Sequence, residues 1–75
     1  MTRERMVSNI NGWVDDYCQR NNIKKEAVAE SIGMGRSTFY VKLSGKTDFS
    51  VVEAADMSEL FGCSICELLD TTPTS

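Results

Sequence analysis

The sequence has no histidine, one proline and three cysteines among its 75 residues. The absence of histidine removes the side chain that most often serves as a general base or metal ligand near neutral pH. Cys63 and Cys66 have C-x-x-C spacing, but structural zinc needs four ligands and Cys18 is the one further cysteine. We therefore predict reduced, packed thiols in preference to a zinc or redox site, with no metal and no cofactor.

Long apolar runs are also missing. No segment approaches the roughly 20 apolar residues that span a bilayer, and Met1–Arg5 does not lead into an apolar secretion signal. The sequence also lacks a phosphate-binding glycine loop and a carboxylate pair placed with a nucleophile, so we do not expect an enzyme. These absences predict a soluble cytoplasmic domain, with no membrane partner and no small-molecule effector site evident.

Basic residues are missing from one part of the chain. Residues 47–75 contain six acidic and no basic residues, whereas residues 20–46 contain six basic and two acidic residues. The whole chain has a net charge of −3, but this separation is typical of a protein with one surface facing nucleic acid. An ordinary solvated surface is the alternative explanation.

The helical spacing of apolar residues predicts an all-α domain of five helices over residues 1–70, with a flexible tail at 71–75. The first helix runs from about Arg3 to Arg20 after the N-cap Thr2. The second begins near Lys24 and ends at Gly33, and the third lies between Gly35 and Gly45. We expect the second helix to bury Val28, Ala29 and Ile32.

Two S-x-x-E capping boxes predict the last two helices. Ser50 with Glu53 begins the fourth helix, and Ser64 with Glu67 begins the fifth. We expect the inner stripe of the fourth helix to comprise Val51, Ala54, Ala55, Met57, Ser58 and Phe61.

A helical wheel of the third helix separates two faces, at about 100° per residue. Phe39 and Leu43 are predicted to face the core, and the outer face is predicted to carry Arg36, Ser37, Tyr40, Val41 and Ser44. Lys42 falls on the core side. Either its side chain extends past the edge of the core to a phosphate, or packing rotates the helix.

The segment from Ile23 to Phe39, together with Gly45 and the later Leu60–Ile65, resembles the DNA-binding domain of the lambda-type repressor and Cro family. Shared features are an alanine within the second helix, a glycine at its end, an apolar residue in the turn and an apolar anchor in the third helix. The resemblance covers roughly residues 6–69. It implies a compact domain of the lambda repressor-like type with a central helix-turn-helix.

The resemblance also implies functional positions. The third helix is expected in the major groove of double-stranded DNA, with base contacts from Arg36, Ser37, Tyr40 and Val41. Phosphate contacts are expected at the matching positions Lys25, Ser44 and Lys46, and the helical wheel adds Lys42 as a phosphate contact if its side chain extends past the edge of the core. We therefore predict a sequence-specific, phage-like transcriptional regulator, most simply a repressor that occupies an operator.

Two alternatives remain at this point. The acidic last third favours a protein-interaction module, of antirepressor or antitoxin type, on the same fold. The fifth helix has two interpretations as well: Ile65, Leu68 and Leu69 either form a homodimer seam, as in some relatives, or complete the core of the protomer.

Overall fold

The structure, a computed structural model, describes residues 2–73. These residues form five helices and no strand: α1 (Arg3–Asn21), α2 (Lys25–Ser31), α3 (Arg36–Leu43), α4 (Val51–Phe61) and α5 (Ile65–Asp70). The predicted all-α class and the order of the five helices are confirmed. None of these helices combines the length and the apolar composition needed to cross a bilayer.

Three helices begin at a residue whose side chain accepts a hydrogen bond from the first turn. Thr2 accepts from the backbone N–H three residues later, as predicted. Ser50 accepts from the N–H of Glu53, whose carboxylate accepts from the N–H of Ser50. Ser64 and Glu67 form the same reciprocal pair. Both predicted capping boxes are confirmed, and they satisfy donors that have no partner within the helix.

Gly33 terminates helix α2, as predicted, and lies just after the C-cap Ile32 in a left-handed conformation. The φ of Gly33 is +72°, a conformation that glycine adopts without a steric penalty. Its N–H donates to the Glu30 carbonyl at 3.0 Å, and the N–H of Met34 donates to the Ala29 carbonyl at 2.9 Å. This pair of bonds is a Schellman motif, which satisfies the last carbonyls of α2 and turns the chain toward α3.

All five helices contribute to one hydrophobic core. It contains every inward residue predicted for α2 and α3 except Ile32, which is only partly buried against it. Phe49, in the loop before α4, lies edge-on to Phe39 with the ring centroids 6.1 Å apart. The core residues are Ile10, Val14, Val28, Ala29, Phe39, Leu43, Ala54, Met57, Phe61 and Leu68.

The prediction that Val51 belongs to the inner stripe of α4 is wrong. Val51 is 79% exposed, although Ala54, Met57 and Phe61 further along the stripe are buried. Val51 is the first residue of α4. The apolar stripe of α4 extends to this residue, but the neighbouring helices cover only the later part of the stripe. Val51 and Val52 therefore leave exposed apolar surface at the start of α4.

Helix α5 is attached to α1 by apolar packing and by side-chain hydrogen bonds. Asn9 Nδ2 donates to the Leu69 carbonyl at 2.8 Å, and Trp13 Nε1 donates to the Thr71 carbonyl at 2.9 Å. Leu68 is fully buried in the core of the protomer. Of the two interpretations of the fifth helix, Leu68 therefore follows the second: its side chain completes the core of the protomer and has no surface left for a second copy.

The segment after α5 runs beside α1 at Gly12. A Cβ atom added at Gly12 would lie 3.5 Å from Thr72 Cγ2 and 3.6 Å from Pro73 Cδ. Residues 71–73 of the predicted flexible tail therefore lie along α1. Its last two residues, 74 and 75, are outside the described residues.

We expect Gly12→Ala to raise the free energy of unfolding by about 1 kcal/mol, because alanine is the better helix former. Its Cβ would meet Thr72 and Pro73 at ordinary contact distances. Gly33→Ala is the matched comparison: the added Cβ would meet nothing within 4 Å, but an alanine at φ +72° is strained. We expect Gly33→Ala to lower the free energy of unfolding by about 1 kcal/mol. Urea unfolding followed by circular dichroism measures the free energy of unfolding of both variants. If it changed in the same direction in both, the different backbone requirements assigned to Gly12 and Gly33 would be contradicted.

Candidate nucleic-acid interface

Helix α3 has an exposed face opposite the side that enters the core. Phe39 is 0% exposed and Leu43 is 7% exposed, so these two side chains define the inner side of the helix. The outer side chains are exposed, as the helical wheel predicts; they are Arg36, Ser37, Tyr40, Val41 and Ser44. A ligand lying along α3 can therefore contact side chains from both of its turns.

A hydrogen bond between α2 and α3 orients Tyr40. The phenol of Tyr40 donates to Glu26 Oε1 at 2.8 Å, joining the second residue of α2 to the fifth residue of α3. This bond lowers the pKa of the Glu26 carboxyl and raises the pKa of the Tyr40 phenol. Sequence reasoning missed Glu26, because a contact between residues 14 positions apart follows from the packing of two helices and has no local signal.

Lys42 forms an ion pair with Glu53 at the edge of the core. Its Nζ lies 2.6 Å and 2.9 Å from the two carboxylate oxygens of Glu53. The lysine side chain is 16% exposed and the glutamate side chain is 24% exposed. The hydrogen bond from Lys42, followed by the one from the Ser50 N–H, lowers the pKa of the Glu53 carboxyl. Lys42 thus stays on the core side of α3 by directing its ammonium to α4, with no rotation of the helix.

The other residues predicted to contact phosphate lie near the two ends of the α2–α3 unit. Lys25, at the start of α2, has its Nζ 3.3 Å from an Asp15 oxygen, and both side chains are more than a third exposed. Ser44 caps the end of α3 and donates its hydroxyl to the Val41 carbonyl. Lys46 is exposed in the following loop. Lys46 takes no part in the ion pairs found among residues 2–73.

Two side chains of α1 hold the end of α3 in place. Asn11 Nδ2 donates to the Leu43 carbonyl at 2.9 Å. Arg3 donates to the Gly45 carbonyl at 2.6 Å and pairs with Asp48. Sequence reasoning assigned no role to Asn11 or Arg3, because their partners are more than 30 residues away along the chain.

The remaining predicted residues, Ile65 and Leu69, lie outside the α2–α3 unit, on α5. Both are partly buried, and they line a groove of about 270 Å³ between α1, α4 and α5. Met6 and Ile10 of α1 and the exposed Val51 of α4 also line this groove. It is separate from the outer face of α3, since none of the residues of that face lines it.

The cysteines are free thiols in the structure. Burial raises the pKa of the Cys18 thiol and of the Cys63 thiol, and this disfavours the thiolate that redox chemistry and metal binding require. Among residues 2–73, no three acidic or cysteine side chains are grouped so that they could hold a metal ion.

We expect Glu53→Gln to lower the free energy of unfolding at pH 7 by about 1–2 kcal/mol, because a partly buried ammonium loses its charged partner. The folded-state pKa of Glu53 is depressed, so its stabilising effect is complete above the unfolded-state pKa of about 4.3 and is lost as the pH falls through the folded-state value. The difference in free energy of unfolding between the wild-type protein and Glu53→Gln should therefore be smaller at pH 3 than at pH 7, as measured by urea unfolding.

Glu59→Gln is the matched control for this measurement, because Glu59 is exposed on the same helix and belongs to none of the ion pairs found among the described residues. A loss of stability in Glu53→Gln that is equal at pH 7 and pH 3 would show that the carboxylate charge is not its source.

Comparisons of the chain with protein-family models, with curated proteins and with solved structures gave no match. A functional interpretation therefore depends on the geometry of α2 and α3, the charge distribution and the resemblance seen in the sequence.

Proposed function

We propose that the chain is a sequence-specific DNA-binding regulator that inserts α3 into the major groove, as in the lambda-type repressor and Cro family that its sequence resembles. The observation that carries this proposal is the outer face of α3, which remains exposed while Phe39 and Leu43 anchor the opposite face in the core. A helix held in this way can enter a groove about 12 Å wide without losing its packing.

The distribution of charge supports the same surface. The segment that contains α2 and α3 has six basic residues against two acidic ones, whereas residues 47–75 have six acidic residues and no basic one. Phosphate attraction supplies much of the affinity of DNA-binding proteins, so the basic segment is the favoured side for DNA. The negative net charge then comes from residues outside this segment, chiefly from residues 47–75.

Base contacts come from the outer face of α3 in this proposal. The guanidinium of Arg36, in the first turn, has the donor geometry for guanine O6 and N7. Ser37 lies beside it, and Val41, which is 39% exposed, offers methyl groups to a thymine methyl. Tyr40 is the fourth residue of this set.

Phosphate contacts come from Lys25, Ser44 and Lys46. The exposed pair of Lys25 with Asp15 is weak enough for Lys25 to exchange its partner for a phosphate. We assign no phosphate to Lys42, because its ammonium makes two short bonds to Glu53. Contacts of this kind set the register of the protein on DNA, while the base contacts discriminate between sequences. A regulator bound in this way represses most simply by occupying a promoter.

Pairing of two copies is a part of the proposal that the resemblance suggests. Ile65 and Leu69 remain as seam residues after the removal of Leu68, and they lie in the groove between α1, α4 and α5. Two-fold pairing places the same patch of each protomer against the other, so two copies could read half-sites one helical turn apart, about 34 Å.

A protein-interaction module is the second candidate. The observation that favours it is the exposed pair Val51 and Val52, which are 79% and 70% exposed within the acidic part of the chain. Apolar side chains beside an acidic surface suit a partner whose apolar residues are flanked by basic ones.

Selection of bound sequences from a random double-stranded DNA pool tests the proposal. We expect one enriched motif that contains a guanine, present as two inverted copies if protomers pair. Failure to retain any DNA at low salt, together with a stoichiometric protein partner in a pull-down, would favour the second candidate.

We expect Arg36→Ala to weaken binding to the selected sequence by about 1–3 kcal/mol and to relax preference at one base pair, with little change on random DNA. Fluorescence anisotropy on both DNAs measures the two affinities. Thr38 is an exposed residue of α3 that does not belong to the outer face, so Thr38→Ala should leave both affinities unchanged.

Lys46→Ala is the phosphate-type comparison for Arg36→Ala. The Lys46→Ala variant should lose the same amount of binding affinity on selected and on random DNA. The slope of log affinity against log salt concentration should become shallower by about 1. Equal losses on both DNAs for Arg36→Ala as well would show that Arg36 does not read a base.

A further inference from the structure

The phenol of Tyr40 has one hydrogen, and the structure assigns it a partner within the protein. The Oη–H of Tyr40 donates to Glu26 Oε1 at 2.8 Å. An ionised carboxylate is an acceptor only, so the direction of this bond is fixed: tyrosine donates and glutamate accepts. The remaining capacity of Tyr40 Oη is its lone pairs, and Tyr40 is 40% exposed on the outer face of α3.

The surroundings of Glu26 favour this arrangement. The Tyr40 hydrogen bond is the main cause that lowers the pKa of the Glu26 carboxyl, and the nearby positive charges of Arg36 and Lys24 lower it further. The same bond raises the pKa of Tyr40, so the phenol keeps its proton at neutral pH. Arg36 also offsets the repulsion that a carboxylate beside the interface would otherwise exert on phosphates.

We propose that Tyr40 is a specificity-determining residue that acts only as a hydrogen-bond acceptor toward DNA and reads an exocyclic amino group, N4 of cytosine or N6 of adenine. This inference rests on the proposed function, since it needs α3 in the major groove. Those amino groups are the donors that base edges present there, whereas guanine O6 and N7 and thymine O4 are acceptors. Tyr40 can meet an acceptor base only by breaking its bond to Glu26.

Glu26 is a positioning residue in this scheme. It holds the phenol at a set place and removes its donor, so it acts on the base through Tyr40 without touching DNA. Arg36 and Tyr40 lie four residues apart, about one helical turn, on the same face. Arg36 therefore selects an acceptor-rich guanine while Tyr40 selects an amino base close to it.

The test begins with the sequence that the wild-type protein selects from random double-stranded DNA. Each cytosine of that sequence is then replaced in turn by 2-pyrimidinone, and each adenine by purine, because these analogues lack the amino group. At one position the analogue should lower wild-type affinity about three- to tenfold, the range expected for a single hydrogen bond. Tyr40→Phe should bind the natural duplex more weakly by a similar factor and show no further loss with the analogue.

Glu26→Ala tests the positioning role. It leaves the phenol free to donate, so the preference for an amino base over thymine or guanine at that position should fall toward equality. Glu30→Ala is the matched control, because it removes an exposed carboxylate from the same helix without contacting Tyr40. It should change affinity for all duplexes alike and keep the preference.

The outcomes separate the inference from the proposed function. A wild-type protein that enriches no sequence contradicts the proposed function itself. An enriched sequence in which no amino deletion affects binding, or in which Tyr40→Phe remains sensitive to every deletion, overturns the role of Tyr40 while leaving DNA binding intact. An unchanged base preference in Glu26→Ala overturns the role of Glu26. The analogue measurement uses the wild-type protein, so it can still overturn the inference if a variant folds poorly.

Discussion

Burial of Phe39 is the interaction on which the arrangement of α3 depends. Its ring is completely inaccessible to solvent, and together with Leu43 it fixes which side of this eight-residue helix faces the core. A helix this short has little stability of its own, so packing must supply most of it. With these two side chains inserted, the opposite face carries Arg36 and Tyr40 outward. The same packing that stabilises the domain therefore creates its candidate interface.

Polar contacts around α3 complete what apolar packing begins. Lys42 bonds to Glu53 of α4, Asn11 of α1 bonds to the last carbonyl of α3, and Glu26 of α2 bonds to Tyr40. Helices α1, α2 and α4 thus each contribute at least one side chain that restrains a different part of α3. Restraint of this kind lowers the entropy lost on binding, because the contacting side chains are already ordered. The bond to Glu26 has the further effect of deciding which hydrogen-bonding group Tyr40 can offer.

What the sequence-based predictions missed or left open has one common cause. Val51 continues the periodic stripe of α4 but lies beyond the covered part of the helix, and Leu68, for which a seam and a core position were both open, fills the core. The helical wheel places Lys42 on the core side of α3, where it lies, but gives no indication of its ion pair with Glu53. Periodicity describes which residues share a face; it contains no information about how far a neighbouring helix extends over that face.

Helix bounds, the N-cap Thr2, both capping boxes and the glycine end of α2 could all be predicted from the sequence, because each depends on residues within one or two helical turns. The separation of basic and acidic segments is likewise a property of the chain itself. The contact of Glu26 with Tyr40, the pairing of Lys42 with Glu53 and the burial of Leu68 arise only when helices distant in the chain are packed together. Their geometry depends on the relative placement of whole helices, which short-range spacing does not specify.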